Sequence, residues 1–159
     1  MTMDEARTVM RYARQLGGKL RDVEWSITEL ETRYDTMHGG FGGGGGRTGP
    51  GDCVADAAVA CADDGVGEEL EKLRVWRGVL RGDRDLVNDA LNRIHGECAA
   101  VLRQRYFGGR SMTNIAVLLE MTPSTAKRRE REGLEKVAAL LGDHPEAEGL
   151  LERAREAAL

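Results

Sequence analysis

Apolar residues recur every three or four positions across the N-terminal quarter of this chain. The series comprises Val9, Ala13, Leu16, Leu20, Val23, Ile27, Leu30, Tyr34 and Met37. Because charged residues fill the gaps, this heptad spacing predicts one long amphipathic helix over residues 1–37. Its apolar stripe suits packing inside the chain's own domain, or a coiled coil that joins copies into a homo-oligomer. Gly17 and Gly18 weaken the helix in either case.

A glycine-rich stretch follows the heptad segment. Residues 38–51 read HGGFGGGGGRTGPG, with nine glycines in fourteen positions. This composition predicts a flexible linker. It does not fit a phosphate-binding loop, because no Gly-Lys-Ser/Thr follows it and no apolar strand precedes it.

A second helical segment is predicted over residues 52–94. Asp52 offers an N-cap, and the apolar positions continue at helical spacing through Leu70, Leu73, Leu80, Val87, Leu91 and Ile94. Gly78 and Gly82 are predicted sites of bending. A short acidic helix is expected over 143–159, and no alternating strand pattern occurs, so the sequence predicts an all-α fold.

Three further helix signals lie close together in residues 95–142. The first helix, 97–107, is expected to end at Gly108 and Gly109 and offers Ala100, Val101, Leu102, Tyr106 and Phe107 to a core. Ser111 is a predicted cap for a second helix over 112–120. Its predicted buried residues are Ile115, Ala116, Leu118 and Leu119.

The third helix is predicted to start at Pro123, behind a Thr122 cap, and to run to Leu141. At 100° per residue its inward side carries Ala126, Glu130, Gly133, Leu134, Val137, Leu140 and Leu141. Arg128 and Arg131 project from the opposite side. A short helix, a turn of about three residues and a longer basic helix form a helix-turn-helix, whose last helix enters the DNA major groove.

The charge distribution supports this interpretation. Residues 95–141 carry eight Lys/Arg and five Asp/Glu, a net charge of +3, although the whole chain has a formal net charge of -4. Phosphate contacts are expected from two helix starts and base contacts from the outer face of the third helix. The predicted DNA-binding residues are Arg110, Ser111, Thr122, Ser124, Thr125, Lys127, Arg128 and Arg131. The alternative is a solvated surface helix, and the pattern assigns no role to Arg129.

A set of short motifs follows in a fixed order through this region. They are Arg105-Tyr106, Gly109, Ser111, Ile115-Ala116, Thr122, Ser124 and Thr125. In this order, residues 101–141 resemble region four of sigma factors and, more closely, the ArpU/RinA family of phage late-gene regulators. The resemblance extends more loosely upstream, where family members also have a coiled-coil-like helix, a Gly/Ser-rich joint and an Asp-x-Val start, here residues 52–54.

The resemblance implies a transcriptional regulator that binds specific double-stranded DNA, an activator of phage or prophage late genes in the bacterial cytoplasm. It leaves open whether RNA polymerase is contacted. The small terminase subunit of a phage packaging machine is the alternative, because it also joins a helix-turn-helix to oligomerising helices. A dimeric mass favours the regulator, whereas a ring of roughly eight or more subunits favours the terminase.

Other function classes find little support in the sequence. Cys53, Cys61 and Cys98 are odd in number and form no Cys-x-x-Cys pair, so neither a disulfide framework nor a zinc site is expected. The three histidines are scattered over separate segments, which predicts no catalytic site, metal or cofactor. No apolar run reaches the length of a signal peptide or a membrane span, which favours a cytoplasmic protein without a membrane partner.

Overall fold

The computed structural model describes residues 1–39 and 52–158, with side chains at 1–34 and 65–158. Its elements are α1 (Met3–Gly39), α2 (Asp52–Arg93), α3 (Glu97–Leu102), a π-helical segment (Arg103–Phe107), α4 (Met112–Leu118), α5 (Pro123–Gly142) and α6 (Ala147–Glu156). These described residues contain helices and turns but no strand, which confirms the predicted all-α fold. Across the same residues, no helix combines the length and the apolar character that crossing a membrane requires.

Part of the predicted organisation lies outside the described residues. Of the predicted glycine-rich linker, only His38 and Gly39 are described, and they end α1. The helix predicted from Asp52 does begin there, as α2. The side chains of Asp52, Cys53 and Cys61, including the predicted Asp52 cap, fall outside the described set.

The chain forms two compact units. The first unit contains Met1–Gly18 and Arg81–Leu159, and the second unit contains Lys19–Leu80. One boundary in α1 directly follows Gly18, and the boundary in α2 falls between Gly78 and Gly82. Glycine lowers helix stability by about 1 kcal/mol relative to alanine, so both boundaries lie next to residues that weaken the two long helices.

The second unit is built from the later part of α1 and the earlier part of α2. Its described buried apolar residues are Leu20, Val23, Ile27, Leu70 and Leu80. An ion pair of 2.8 Å between Arg74 Nη2 and Glu31 Oε1 connects the two helices. The heptad residues from Val9 to Ile27 are therefore buried within a single chain, as packing inside the chain's own domain requires, whereas Leu30 and Tyr34 are only partly buried. Self-association through α1 stays a prediction.

The second unit also exposes large apolar side chains. Trp25 on α1 is 74% exposed, and Val75 and Trp76 on α2 also face solvent. Scattered exposed apolar residues are normal on protein surfaces.

The first unit begins at a capping box that fixes the start of α1. The Thr2 N–H donates to Glu5 Oε2 at 2.8 Å, and the Glu5 N–H donates to Thr2 Oγ1 at 3.3 Å. Glu5 also accepts from Arg155 Nη2 at 2.8 Å, so α6 is joined to the N-terminal turn. The fully buried side chains of this unit include Val9, Met10, Leu16, Val87, Leu102, Leu134, Leu141 and Leu150.

One charged side chain lies inside the first unit. Asp83 is 2% exposed, and its Oδ2 accepts from Arg153 Nε at 2.8 Å and from Tyr12 Oη at 3.0 Å. Arg153 also reaches the other carboxylate oxygen, which makes the pair bidentate. Burial, reinforced by the Asp83 charge, raises the pKa of the Tyr12 phenol. The network ties α1, α2 and α6 together at one buried point.

Candidate nucleic-acid interface

The first helix of the predicted helix-turn-helix region ends in a π-helical segment. The Gly108 N–H donates to the Arg103 carbonyl, five residues back, at 3.0 Å. Gly109 then takes φ +65°, a left-handed conformation that glycine adopts without strain. The expectation that Phe107 joins the core is wrong, because this side chain is 43% exposed. A π turn contains more residues than an α turn, so position 107 does not face the core as a spacing of 3.6 residues per turn predicts.

The two helices that follow begin at the predicted caps. Ser111 Oγ accepts the Asn114 N–H at 3.2 Å at the start of α4. Thr122 Oγ1 accepts the Thr125 N–H at 3.2 Å at the start of α5, where Pro123 occupies the first helical turn. Each hydroxyl satisfies a donor that would otherwise lack an intrahelical partner, so both starts are fixed by local sequence.

A small apolar core holds these helices together. Its buried members are Val101, Ile115, Ala116 and Ala126, with Met112, Leu119 and Met121 packed at the edge. The stripe on α4 therefore runs through positions 112, 115, 116 and 119, which have helical spacing. Leu118 lies beside this stripe and is 46% exposed, so its predicted burial is wrong.

The connection between α4 and α5 is short. Residues 119–122 make it, four residues against the expected three. Glu120 takes φ +52°, and the Met121 N–H donates to the Ala116 carbonyl at 2.9 Å. This hydrogen bond closes the end of α4 and turns the chain directly into the Thr122 cap.

α5 has the two faces that its sequence predicts. Its buried residues are Ala126, Gly133, Leu134, Val137, Ala138 and Leu141. Gly133 allows a close approach to α3, since a Cβ there would lie 2.8 Å from Leu102 Cδ1. Arg128 and Arg131 lie on the other face and are exposed. The core therefore leaves the basic face of α5 uncovered in this unit.

The eight predicted DNA-binding residues lie at the α4 start, at the α5 start and on the outer face of α5. Seven are exposed and Thr125 is partly buried. The Thr122 hydroxyl lies 2.9 Å from the hydroxyls of both Ser124 and Thr125, which brings three of these residues together at the α5 start. A helix start with free N–H groups and hydroxyls suits a phosphate oxygen.

The cations of this face are only weakly held. Arg131 Nε lies 3.0 Å from Glu135 Oε1, and Arg128 Nε lies 3.8 Å from Glu132 Oε1, both one helical turn away at exposed positions. Such pairs stabilise by about 0.3–0.5 kcal/mol, so an incoming phosphate or base can displace them. Within the described residues, the Lys127 and Arg110 side chains make no hydrogen bond or ion pair.

Arg129, to which the sequence pattern assigned no role, joins α5 to the start of α3. Its Nε donates to Glu97 Oε2 and its Nη1 to Glu132 Oε2, each at 2.8 Å. The hydrogen bond from Arg129 holds the pKa of the Glu132 carboxyl below its ordinary value. Arg129 is thus turned away from the outer face and orients α5 on the rest of the unit.

A second polar link from α5 involves the next residue, Glu130. The buried Tyr106 donates its hydroxyl to Glu130 Oε1 at 3.2 Å. Burial, followed by the Glu130 charge, raises the pKa of Tyr106 to about 12. Arg105 Nη1 donates to the Arg110 carbonyl at 3.1 Å and so supports the residue just before the Ser111 cap. Sequence reasoning placed Glu130 inward but did not identify these partners.

The assembled surface has two capped helix starts, a hydroxyl cluster and uncovered cations, a set that suits phosphates and base edges. Comparisons of the chain with models of protein families, with curated proteins and with solved structures find no match.

Proposed function

We propose that this protein is a transcriptional regulator that binds specific double-stranded DNA, related to the ArpU/RinA regulators of phage late genes. The observation that carries the proposal is the pair α4 and α5. Both helices are capped, a four-residue turn joins them, and the exposed face of α5 carries Lys127, Arg128 and Arg131. This is the arrangement with which a helix-turn-helix protein enters the major groove.

Different residues take different parts in the proposed complex. Arg128 and Lys127, near the start of α5, contact guanine N7 and O6, for which their donors are suited. Arg110 and the Ser111 helix start hold phosphates of the flanking backbone. Arg129 and Glu130 stay with the protein, since each is bonded to another helix.

The test begins with sites selected from random double-stranded DNA by the full chain, followed by fluorescence anisotropy on a selected and a scrambled site. Arg128→Ala is expected to reduce the discrimination between the two by about 1–3 kcal/mol. Arg110→Ala is expected to weaken binding to both equally and to lower the salt slope by about one. Lys136→Ala is the matched control, because Lys136 is also an exposed cation on α5. It lies eight residues beyond Arg128, which is more than two helical turns from the predicted base contacts.

If neither Arg128→Ala nor Arg110→Ala differs from the Lys136→Ala control, α5 is not a recognition helix. The solution mass separates the regulator from a packaging protein. A dimer, or another small assembly, agrees with the proposal, whereas a ring of roughly eight or more subunits points to the terminase.

A further inference from the structure

A row of arginines lies on one face of α1 in the first unit. Arg7, Arg11 and Arg14 are separated by four and three residues, so their side chains share a face of the helix. With Arg105 of the π-helical segment they line a half-open cavity of about 620 Å³. Gln15, Tyr106 and Glu130 complete its wall. Four guanidinium groups thus face a cavity that has one carboxylate.

Two of these arginines have no anionic partner among the residues that the structure describes. Arg7 Nη1 is paired with Asp4 Oδ1 at 2.7 Å, and Arg105 Nε lies 3.8 Å from Glu130 Oε1. Arg11 and Arg14 are exposed, and in the part of the chain that the structure describes they make neither a hydrogen bond nor an ion pair. A concave surface with uncompensated charge of one sign attracts counter-ions of the opposite sign.

The cavity adjoins the predicted DNA-binding residues on two sides. Arg14 Nη2 lies 3.1 Å from the position that a Cβ on Gly109 would occupy, next to Arg110. Arg105 lines the cavity and also bonds the Arg110 carbonyl at 3.1 Å. On α5, Lys127 precedes the cavity residue Glu130 by three positions, which places the two about 60° apart around the helix axis.

We propose that the α1 arginines bind the phosphate backbone of double-stranded DNA beside the bases that α5 contacts. The proposal rests on the proposed function, since it extends the same complex. Guanidinium groups bind phosphate oxygens through parallel N–H donors, and Arg11 and Arg14 are available for this. Continuity with Arg110 favours DNA over a free phosphate compound, because a backbone held at the α4 start passes next to Arg14.

The test compares the full chain with an Arg11→Gln/Arg14→Gln variant by fluorescence anisotropy across a range of salt concentrations. Loss of two phosphate contacts is expected to lower the slope of log K against log salt by about 1.8, at about 0.9 per contact. Affinity for selected and scrambled DNA is expected to fall by the same factor, because phosphates carry no sequence information. Arg21→Gln/Arg33→Gln is the matched control, with the same charge change at exposed positions of α1 outside the cavity.

The outcomes separate this inference from the proposed function. If the parent protein binds DNA and the Arg11→Gln/Arg14→Gln variant keeps the slope of the control, the α1 contact is wrong and the helix-turn-helix function stands. If the parent protein binds no DNA, both the proposed function and the α1 contact are wrong. Calorimetry with tripolyphosphate tests whether the cavity binds a free anion instead. If the Arg11→Gln/Arg14→Gln variant loses tripolyphosphate binding but keeps its DNA binding unchanged, the proposed DNA contact is wrong. Unchanged circular dichroism confirms that the variant is folded.

Discussion

Asp83→Ala should destabilise the first unit strongly. The carboxylate is 2% exposed and accepts hydrogen bonds from both Arg153 and Tyr12. Its removal leaves a guanidinium and a phenol facing a site without an acceptor. The loss of folding free energy therefore comes mainly from the unpaired guanidinium and phenol rather than from the lost contact itself.

The magnitude follows from the burial of the two charged partners. Removing one member of a buried ion pair costs about 3–5 kcal/mol. The Arg153 side chain keeps 26% exposure, so water replaces part of what the carboxylate supplied. We therefore expect a loss near the lower limit, about 3 kcal/mol, against a typical total stability of about 5–15 kcal/mol.

Urea unfolding followed by far-ultraviolet circular dichroism measures this loss. The midpoint is expected to fall while the slope stays constant, because the surface exposed on unfolding hardly changes. Asp85→Ala is the matched control, since this side chain is 67% exposed beside Arg84. Its expected effect is below about 0.5 kcal/mol.

Two results would refute the reasoning. One is an equal midpoint for Asp83→Ala and Asp85→Ala, which would mean that the buried carboxylate contributes no more than a surface one. The other comes from the double variant Asp83→Ala/Arg153→Met. It should lose less than the sum of the two single changes, because residues in one network are coupled, and strict additivity would show that they are not.

Four further changes test other parts of the structure. Thr122→Ala is expected to lower the free energy of unfolding by about 1 kcal/mol in urea, because α5 loses its cap acceptor. Gly133→Ala is expected to lower the thermal midpoint, since a Cβ would lie 2.8 Å from a side-chain carbon of the buried Leu102. A Cβ at Gly78 would meet open space, so Gly78→Ala is expected to stabilise α2 by about 1 kcal/mol and to raise the thermal midpoint. If Gly133→Ala and Gly78→Ala shifted the midpoint in the same direction, the packing argument would be contradicted. The pKa of Tyr106 is raised from the ordinary tyrosine value of 10.0 to about 12. Between these two pH values the folded chain therefore keeps a phenol proton that the unfolded chain has lost. Stability should therefore decline as the pH rises from about 10 to about 12, by about 2.7 kcal/mol for this group. Tyr106→Phe should remove that part of the decline in alkaline urea titrations, and an unchanged profile would refute it.

The features that the sequence predicted are those set by neighbours along the chain. Ser111 and Thr122 cap the helices that follow them, and Ala126 with Leu134 lie on the buried face of α5. Each depends on residues within one or two helical turns, for which spacing and capping preferences are sufficient.

The polar links that the sequence missed depend on distant partners. Arg129 pairs with Glu97, 32 residues away, and Arg153 pairs with Asp83, 70 residues away. Helical periodicity assigns a residue to a face but does not say which other helix meets that face. The same holds for the cavity lined by the α1 arginines, since the apolar stripe of α1 does not show which helix lies beside its charged face.

The positions of the two tryptophans give the second unit an optical signal of its own. The chain has two tryptophans, Trp25 and Trp76, and both belong to the second unit, where they are exposed. Tyr12 and Tyr106 are buried in the first unit. Tryptophan emission therefore follows the second unit alone, whereas tyrosine absorbance combines Tyr12 and Tyr106 of the first unit with Tyr34 of the second. A denaturation experiment on the unmodified chain can thus distinguish, without an added label, whether the two units unfold together or in sequence.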